Sequence, residues 1–152
     1  LVKGMKWKVL DQYSCIHNYI DASEETISTF HAPILRKGAI SAQKDEQVII
    51  PINMRDGIIL ATGLGNKDWN CSSPHGSGRL IKREDIKTNY TVSNYKAEMK
   101  GIYSSCINKD TLDEAPFAYR GVDEITEVIQ DTVVINKIIR PIYNYKAGGN
   151  EK

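Results

Sequence analysis

The stretch from Asp68 to Arg79, DWNCSSPHGSGR, sets a histidine between a proline and a Gly-Ser-Gly run, with an arginine just beyond. Pro74 narrows the backbone of the residue before it, while Gly76 and Gly78 open conformations and close approaches denied to other residues. Backbone N–H groups in such a run can converge on one anion, and Arg79 adds a planar cation suited to phosphate. A neutral imidazole at His75 is then able to attack phosphorus as a covalent nucleophile. The plainer alternative is a loop histidine with no role, and the local pattern leaves both open.

A second histidine, His17, lies in CIHNYID. Neutral imidazole is the commonest metal-binding side chain, but a histidine in an apolar strand also serves as an ordinary structural residue. No HxH or HExxH partner is nearby, so a metal at His17 needs ligands from distant sequence or another chain. His31 has no supporting context. Cations fall on polar or turn-flanked segments at Arg36-Lys37, Arg79, Lys82-Arg83 and Lys146. Arg36 and Lys37 are adjacent within an expected strand, so one of them faces inward unless the strand is an edge. Lys82-Arg83 with Glu84-Asp85 reads as a solvated face. Tyr119, after DEAPF, is a loop aromatic that either stacks on a base or packs.

The elements that must position these residues read as α+β, a largely antiparallel sheet with a few short helices. Trp7 to Ile20 is rich in β-branched and aromatic residues, as strands are. Asp21 to Glu25 is a polar break. Ala32–Ser41 and Gln47–Met54 read as strands joined by the turn AQKDE. Asp56–Gly63 follows a tight turn at Met54-Arg55-Asp56-Gly57. Gly63 to Arg79 is a long Gly-, Ser- and Asn-rich connection, of the kind that often carries function. Thr91 is set to cap a helix that ends near Gly101, with Tyr95 and Met99 on one face. Val122–Asp131 reads as a second helix with an acidic first turn. Thr132–Tyr145 returns to the sheet, and the final AGGNEK reads as frayed.

The 152 residues suffice for one domain with a real core. Net charge is +1, so a polyanion has to be held by a local patch rather than a global field. Apolar runs are too short to span a membrane, and no secretory signal is evident. Three scattered cysteines form no CxxC pair, which points to neither a disulfide framework nor a zinc cluster, and to a reducing cytoplasm. The first residue is leucine, which suggests a processed, truncated or fragmentary chain.

Six short motifs occur in order: IHNYI, LRKGAI, IIPINMRDG, SSPHGSGRLIKRED, AYRGVDEITEVI and IIRPIYNYKAGG. Together they resemble the C-terminal portion of the RtcB family of RNA-splicing ligases over nearly the whole chain, with HGxGR the most specific element. The NMRDG turn resembles a subgroup that departs from the more usual GSMG. The resemblance implies the C-terminal part of the RtcB-type fold over residues 1–152. It also implies a GTP- and manganese-dependent ligase that joins an RNA 3′-phosphate or 2′,3′-cyclic phosphate to a 5′-hydroxyl. Its partners would be RNA with those ends, the missing N-terminal part of the same ligase and, in some systems, archease.

Carried over position by position, the resemblance makes His75 the guanylylated nucleophile and His17 a manganese ligand. Asn18 is its neighbour near phosphate or metal, Ser77 and Gly78 lie beside the ribose, Tyr119 packs near guanine, and Lys146 contacts the base. Arg79 and Arg36-Lys37 become phosphate or RNA contacts. Two departures stand out. Serines that help hold guanine correspond here to Asn53, which can hydrogen-bond, and Ile58, which cannot through its side chain. The aspartate, cysteine and two histidines that complete the family's metal site have no counterpart in the motifs, so this chain alone is expected to be inactive. A non-catalytic nucleotide- or RNA-binding module and a metal-assisted phosphohydrolase are the alternatives on the same scaffold.

Overall fold

The computed structural model describes residues 8–146. In chain order these form β1 (Asn18–Asp21), α1 (Glu24–Phe30), β2 (Ile34–Lys37), β3 (Ala39–Ser41), β4 (Gln47–Pro51), β5 (Ile58–Gly63), β6 (Ser72–Pro74), α2 (Arg83–Asn89), α3 (Val92–Glu98), β7 (Tyr103–Ser104), α4 (Val122–Val128), β8 (Val133–Ile139) and β9 (Tyr143–Asn144). The fold is α+β, as the sequence predicts, but its strands divide among several small sheets. β1 pairs with β2, β3 with β6, and β5 lies between β4 and β8, all antiparallel; β7 and β9 form a two-residue parallel pair.

Alternation sets the central sheet. Val48 and Ile50 of β4, and Ile59 and Ala61 of β5, bury their side chains on one face, where Ile125 of α4 and Ile129 just after it cover them. Each such aliphatic side chain contributes roughly 2 kcal/mol by leaving water. A second cluster is helical, with Tyr95 of α3 and Met99 at its C-terminal cap packing on Met54, Ile86 and Leu112. Thr91 caps α3 through a reciprocal box with Asn94, as expected at its start. The expected turn at Met54–Gly57 is present, organised by Asn53 Oδ1, which accepts from the amides of Arg55 and Asp56.

Several expectations need correction. Trp7 lies outside the described residues, and of the remaining Lys8–Ile20 segment only Asn18–Ile20 is strand. Val9, Leu10 and Ile16 are exposed and meet no partner strand. Cys15 alone engages the sheet, its Sγ accepting from the Ile49 amide at the β4 edge. The polar break is in fact the start of α1, capped by Ser23. The Lys82–Asp85 charges are exposed, as a solvated face requires, and they sit at the start of α2 with Glu84 and Asp85 in its first turn. Ala32–Ser41 splits at Gly38, and β3 then pairs with β6 rather than with β4.

Arg36 proves to be the inward cation of its pair, while Lys37 is exposed. The Arg36 side chain is fully buried and meets Asp21 at 2.8 Å. It also donates to the carbonyls of Asn70 and Cys71 and to Ser72 Oγ. Nε and Nη1 are thus hydrogen-bonded inside the protein, and the buried Nη2, which makes no hydrogen bond, faces the Asp21 carboxylate. A side chain with no exposed surface is removed as a phosphate or RNA contact.

Burial alone would push the Asp21 carboxyl up, but hydrogen bonds from Ser23, Arg36 and Thr26 outweigh it and hold the group at about 2. A carboxyl depressed from its ordinary 3.8 stabilises the fold above about pH 4 and loses that contribution as pH falls toward 2. The contribution is about 2 kcal/mol. Asp21→Asn should cost about 3 kcal/mol near neutral pH, because it strands a buried guanidinium. The gap from wild type, measured by urea unfolding, should narrow between pH 4 and 2; a gap that stays constant would refute the pairing.

Candidate active site

Gly38 is the junction of the site. Its amide donates to the His17 carbonyl at 3.0 Å and to Asn18 Oδ1 at 3.2 Å. Its carbonyl accepts from the His75 amide at 3.3 Å and lies 2.6 Å from His75 Nδ1. The antiparallel pairing of β3 with β6 sets this up, because Ala39 lies opposite Pro74, so Gly38, just before β3, falls beside His75, just after β6. Gly38 has φ +65, a backbone region costly for other residues, and an added Cβ would sit 3.4 Å from the His75 ring.

A carbonyl can only accept, so His75 Nδ1 carries the proton. In the neutral ring the lone pair therefore resides on Nε2, the nitrogen turned away from Gly38. The His17 ring stacks on His75 with centroids 4.6 Å apart and planes 17° from parallel. Both imidazoles are exposed. Two histidines 58 positions apart in sequence are thus brought face to face by one residue, Gly38.

A cavity of about 710 Å³ opens beside His75. Asn53, Ser77, Gly78, Arg79, Tyr119 and Lys146 line it together with His75, as does Ile58. Asn18 and His17 stand outside this lining, joined to it through Gly38 and the ring stack. Ser77 Oγ is buried and donates to the Ile52 carbonyl at 2.7 Å, which fastens the glycine-rich loop to the end of β4. Gly78 has φ +70, and Arg120 Nη1 lies only 3.0 Å from where its Cβ would be.

Arrangement and sequence meet at this point. The family model for tRNA-splicing ligase RtcB matches residues 2–147. The chain belongs to the RtcB family. It is 28% identical to the RNA-splicing ligase RtcB of Escherichia coli, over 88% of this chain and 32% of that protein. It is 26% identical to the tRNA-splicing ligase RtcB of Thermococcus kodakarensis and 24% identical to that of Pyrobaculum aerophilum, each over 84% of this chain and 31% of the relative. The chain spans about a third of the length of the curated relatives it matches.

Within this RtcB chain some expected contacts are already engaged. Arg79 donates to the Asp113 carbonyl at 2.6 Å, to Glu114 Oε1 at 2.7 Å and to the Tyr119 hydroxyl at 2.7 Å, and its guanidinium covers the Tyr119 ring at 4.5 Å. Asn53 likewise uses its amide locally, donating to Asp56 Oδ2 at 2.9 Å. Sequence reasoning passed over Glu114, although vicinal acids before a proline in LDEAPF are a usable signal. Burial pushes the Glu114 carboxyl up, but Tyr119, Lys146 and Arg79 outweigh it and hold it below the usual range. Burial and the adjacent Glu114 carboxylate push the Tyr119 phenol well up, so it stays protonated. No helix among the described residues is long and apolar enough to cross a membrane.

Long-range proton–nitrogen NMR, at a pH where the ring is neutral, should find His75 protonated on Nδ1. Detection of the Nε2–H tautomer would contradict the Gly38 contact. Gly38→Ala should destabilise the fold by on the order of 1–2 kcal/mol and weaken that tautomer preference.

Proposed function

We propose that the whole protein is an RNA ligase that joins a 3′-phosphate or 2′,3′-cyclic phosphate end to a 5′-hydroxyl, with His75 as the guanylylated residue and GTP as co-substrate. The observation that carries this reading is the bond from His75 Nδ1 to the Gly38 carbonyl, which leaves Nε2 with its lone pair beside a cavity of about 710 Å³. Such a volume is within the roughly 300–1,000 Å³ of small-molecule sites, and its cationic lining residues, Arg79 and Lys146, suit a nucleotide. The names of the curated relatives, RNA- and tRNA-splicing ligases, agree with this reading.

Chemically, Nε2 forms a bond to the α-phosphorus of GTP as the bond to the bridging oxygen breaks and pyrophosphate leaves. The Gly38 carbonyl holds the Nδ1 proton and stabilises the positive ring that develops. The RNA 3′-phosphate then takes GMP from His75, and the 5′-hydroxyl displaces GMP to close the phosphodiester. Asn18 orients Gly38, and through it His75. Ser77 and Gly78 shape the loop beside the ribose, with Tyr119 and Lys146 toward the base.

The described residues do not by themselves form a manganese site, since no three His, Cys, Asp or Glu side chains among them group suitably. His17 is proposed as one manganese ligand, its fellow ligands lying elsewhere in the whole ligase. Bound manganese would neutralise phosphate charge. This chain alone is accordingly proposed to be inactive. Archease is proposed as an accessory partner, and the cytoplasm as the compartment.

A second reading, nucleotide binding without turnover, is favoured by the engaged Asn53 amide and the aliphatic Ile58 on the cavity wall. Full-length protein given α-labelled GTP and Mn²⁺ distinguishes the two. The ligase reading expects a covalent adduct that survives denaturation and is lost at least 100-fold in His75→Ala. No adduct from the full-length protein, or an undiminished one in the variant, would refute it.

A further inference from the structure

Glu114 is the only carboxylate among the described residues lining the cavity. Its Oε1 accepts from Arg79 Nη2 at 2.7 Å and faces Arg83 Nη2 at 3.5 Å. Its Oε2 accepts from the Tyr119 hydroxyl at 2.7 Å and from Lys146 Nζ at 3.3 Å. A carboxylate offers about four lone-pair sites; Arg79, Tyr119 and Lys146 hydrogen-bond to three of them, and the Arg83 guanidinium is an ion-pair neighbour. Glu114 is therefore largely engaged by the protein itself, although it lines the cavity. Its partners differ in what they retain. Tyr119 donates to Glu114 and accepts from Arg79, whose guanidinium also covers a face of the ring, so its hydroxyl and one ring face are engaged. Lys146 gives Glu114 one of its three N–H donors and keeps two.

We infer that Glu114 is a positioning residue for a purine mononucleotide in this cavity: it fixes the Lys146 ammonium and the Tyr119 ring and touches no ligand itself. This rests on the nucleotide reading above. Lys146 is nearly half exposed, and without an anchor its long side chain would range over many rotamers. The entropy of fixing it would then oppose ligand binding. Glu114 draws together residues far apart in sequence, from the HGSGR loop, α2, the Tyr119 segment and the Lys146 tail.

The test is a calorimetric titration of GMP into the full-length protein as wild type, Glu114→Gln, Lys146→Ala and the double variant. Glu114→Gln keeps the size and removes the charge. It should raise Kd roughly tenfold, with Lys146→Ala similar and the double variant within about twofold of Lys146→Ala alone. Glu114→Asp, which keeps the charge, should recover part of the affinity. A lower melting temperature with unchanged Kd, or losses that simply multiply, would overturn the assignment, as would a wild type that binds no GMP. If Glu114→Gln does not fold, Glu114→Asp paired with Lys146→Ala supplies the same cycle. GMP binding with the expected coupling, but no adduct from GTP, would remove the ligase reading and support the role of Glu114.

Discussion

The buried pair of Asp21 and Arg36 is the constraint on which the site depends. A guanidinium with no exposed surface needs partners inside the protein, and Arg36 has them from two directions through Nε and Nη1, with Nη2 in ion-pair contact with Asp21. Asp21 answers from the end of β1, and the carbonyls of Asn70 and Cys71 answer from the loop entering β6. Asn70 and Cys71 both have positive φ, so the loop turns sharply where it meets the guanidinium. From that turn the chain passes through β6 and delivers His75 to Gly38, two residues beyond Arg36. The cation reaches the chemistry through the backbone it holds, and through no ligand.

The cavity lies along a seam between two cores. Ile52 packs in the sheet core and Met54 in the helical one, with Asn53 between them on the cavity wall. Asp56 ties the turn to α4 by accepting from the Val122 amide. This serves the helix start, because the cap residue, Gly121, has no side chain to do so. Ser77 and Asn144 fasten the other walls to backbone carbonyls of the same segment, at Ile52 and Met54. One short stretch after β4 thus serves as the mounting rail for the glycine-rich loop, a helix start and the tail.

Much of this was legible in the sequence where local chemistry decides structure. Thr91 and Asn94 announce a cap, alternation announces β4 and β5, and Met54–Gly57 announces a turn. The ordered motifs identified the family and selected residues that do line one cavity. What was not legible depends on distant partners. The Val9–Ile20 segment has strand composition but no strand beside most of it. Ser23 and Glu24 looked like a break because α1 is short and exposes most of its residues. Arg36 looked like a ligand contact because adjacency to Lys37 says that one cation turns inward without saying that Asp21 awaits it. Glu114 was hidden because its meaning lies in four partners, three of them more than 30 positions away.

The tail that carries Lys146 is held by little local structure. β9 is two residues long, Asn144 donates to the Met54 carbonyl, and the Lys146 amide reaches Cys106 Sγ. Every other cavity residue among those described precedes it in the chain. On a ribosome, which releases its product from the N-terminal end, the sheet and the histidine loop emerge before this last wall. The surroundings of His75 can therefore form early while the far side of the cavity stays open. Completion of the cavity becomes a matter of timing in synthesis as well as of geometry.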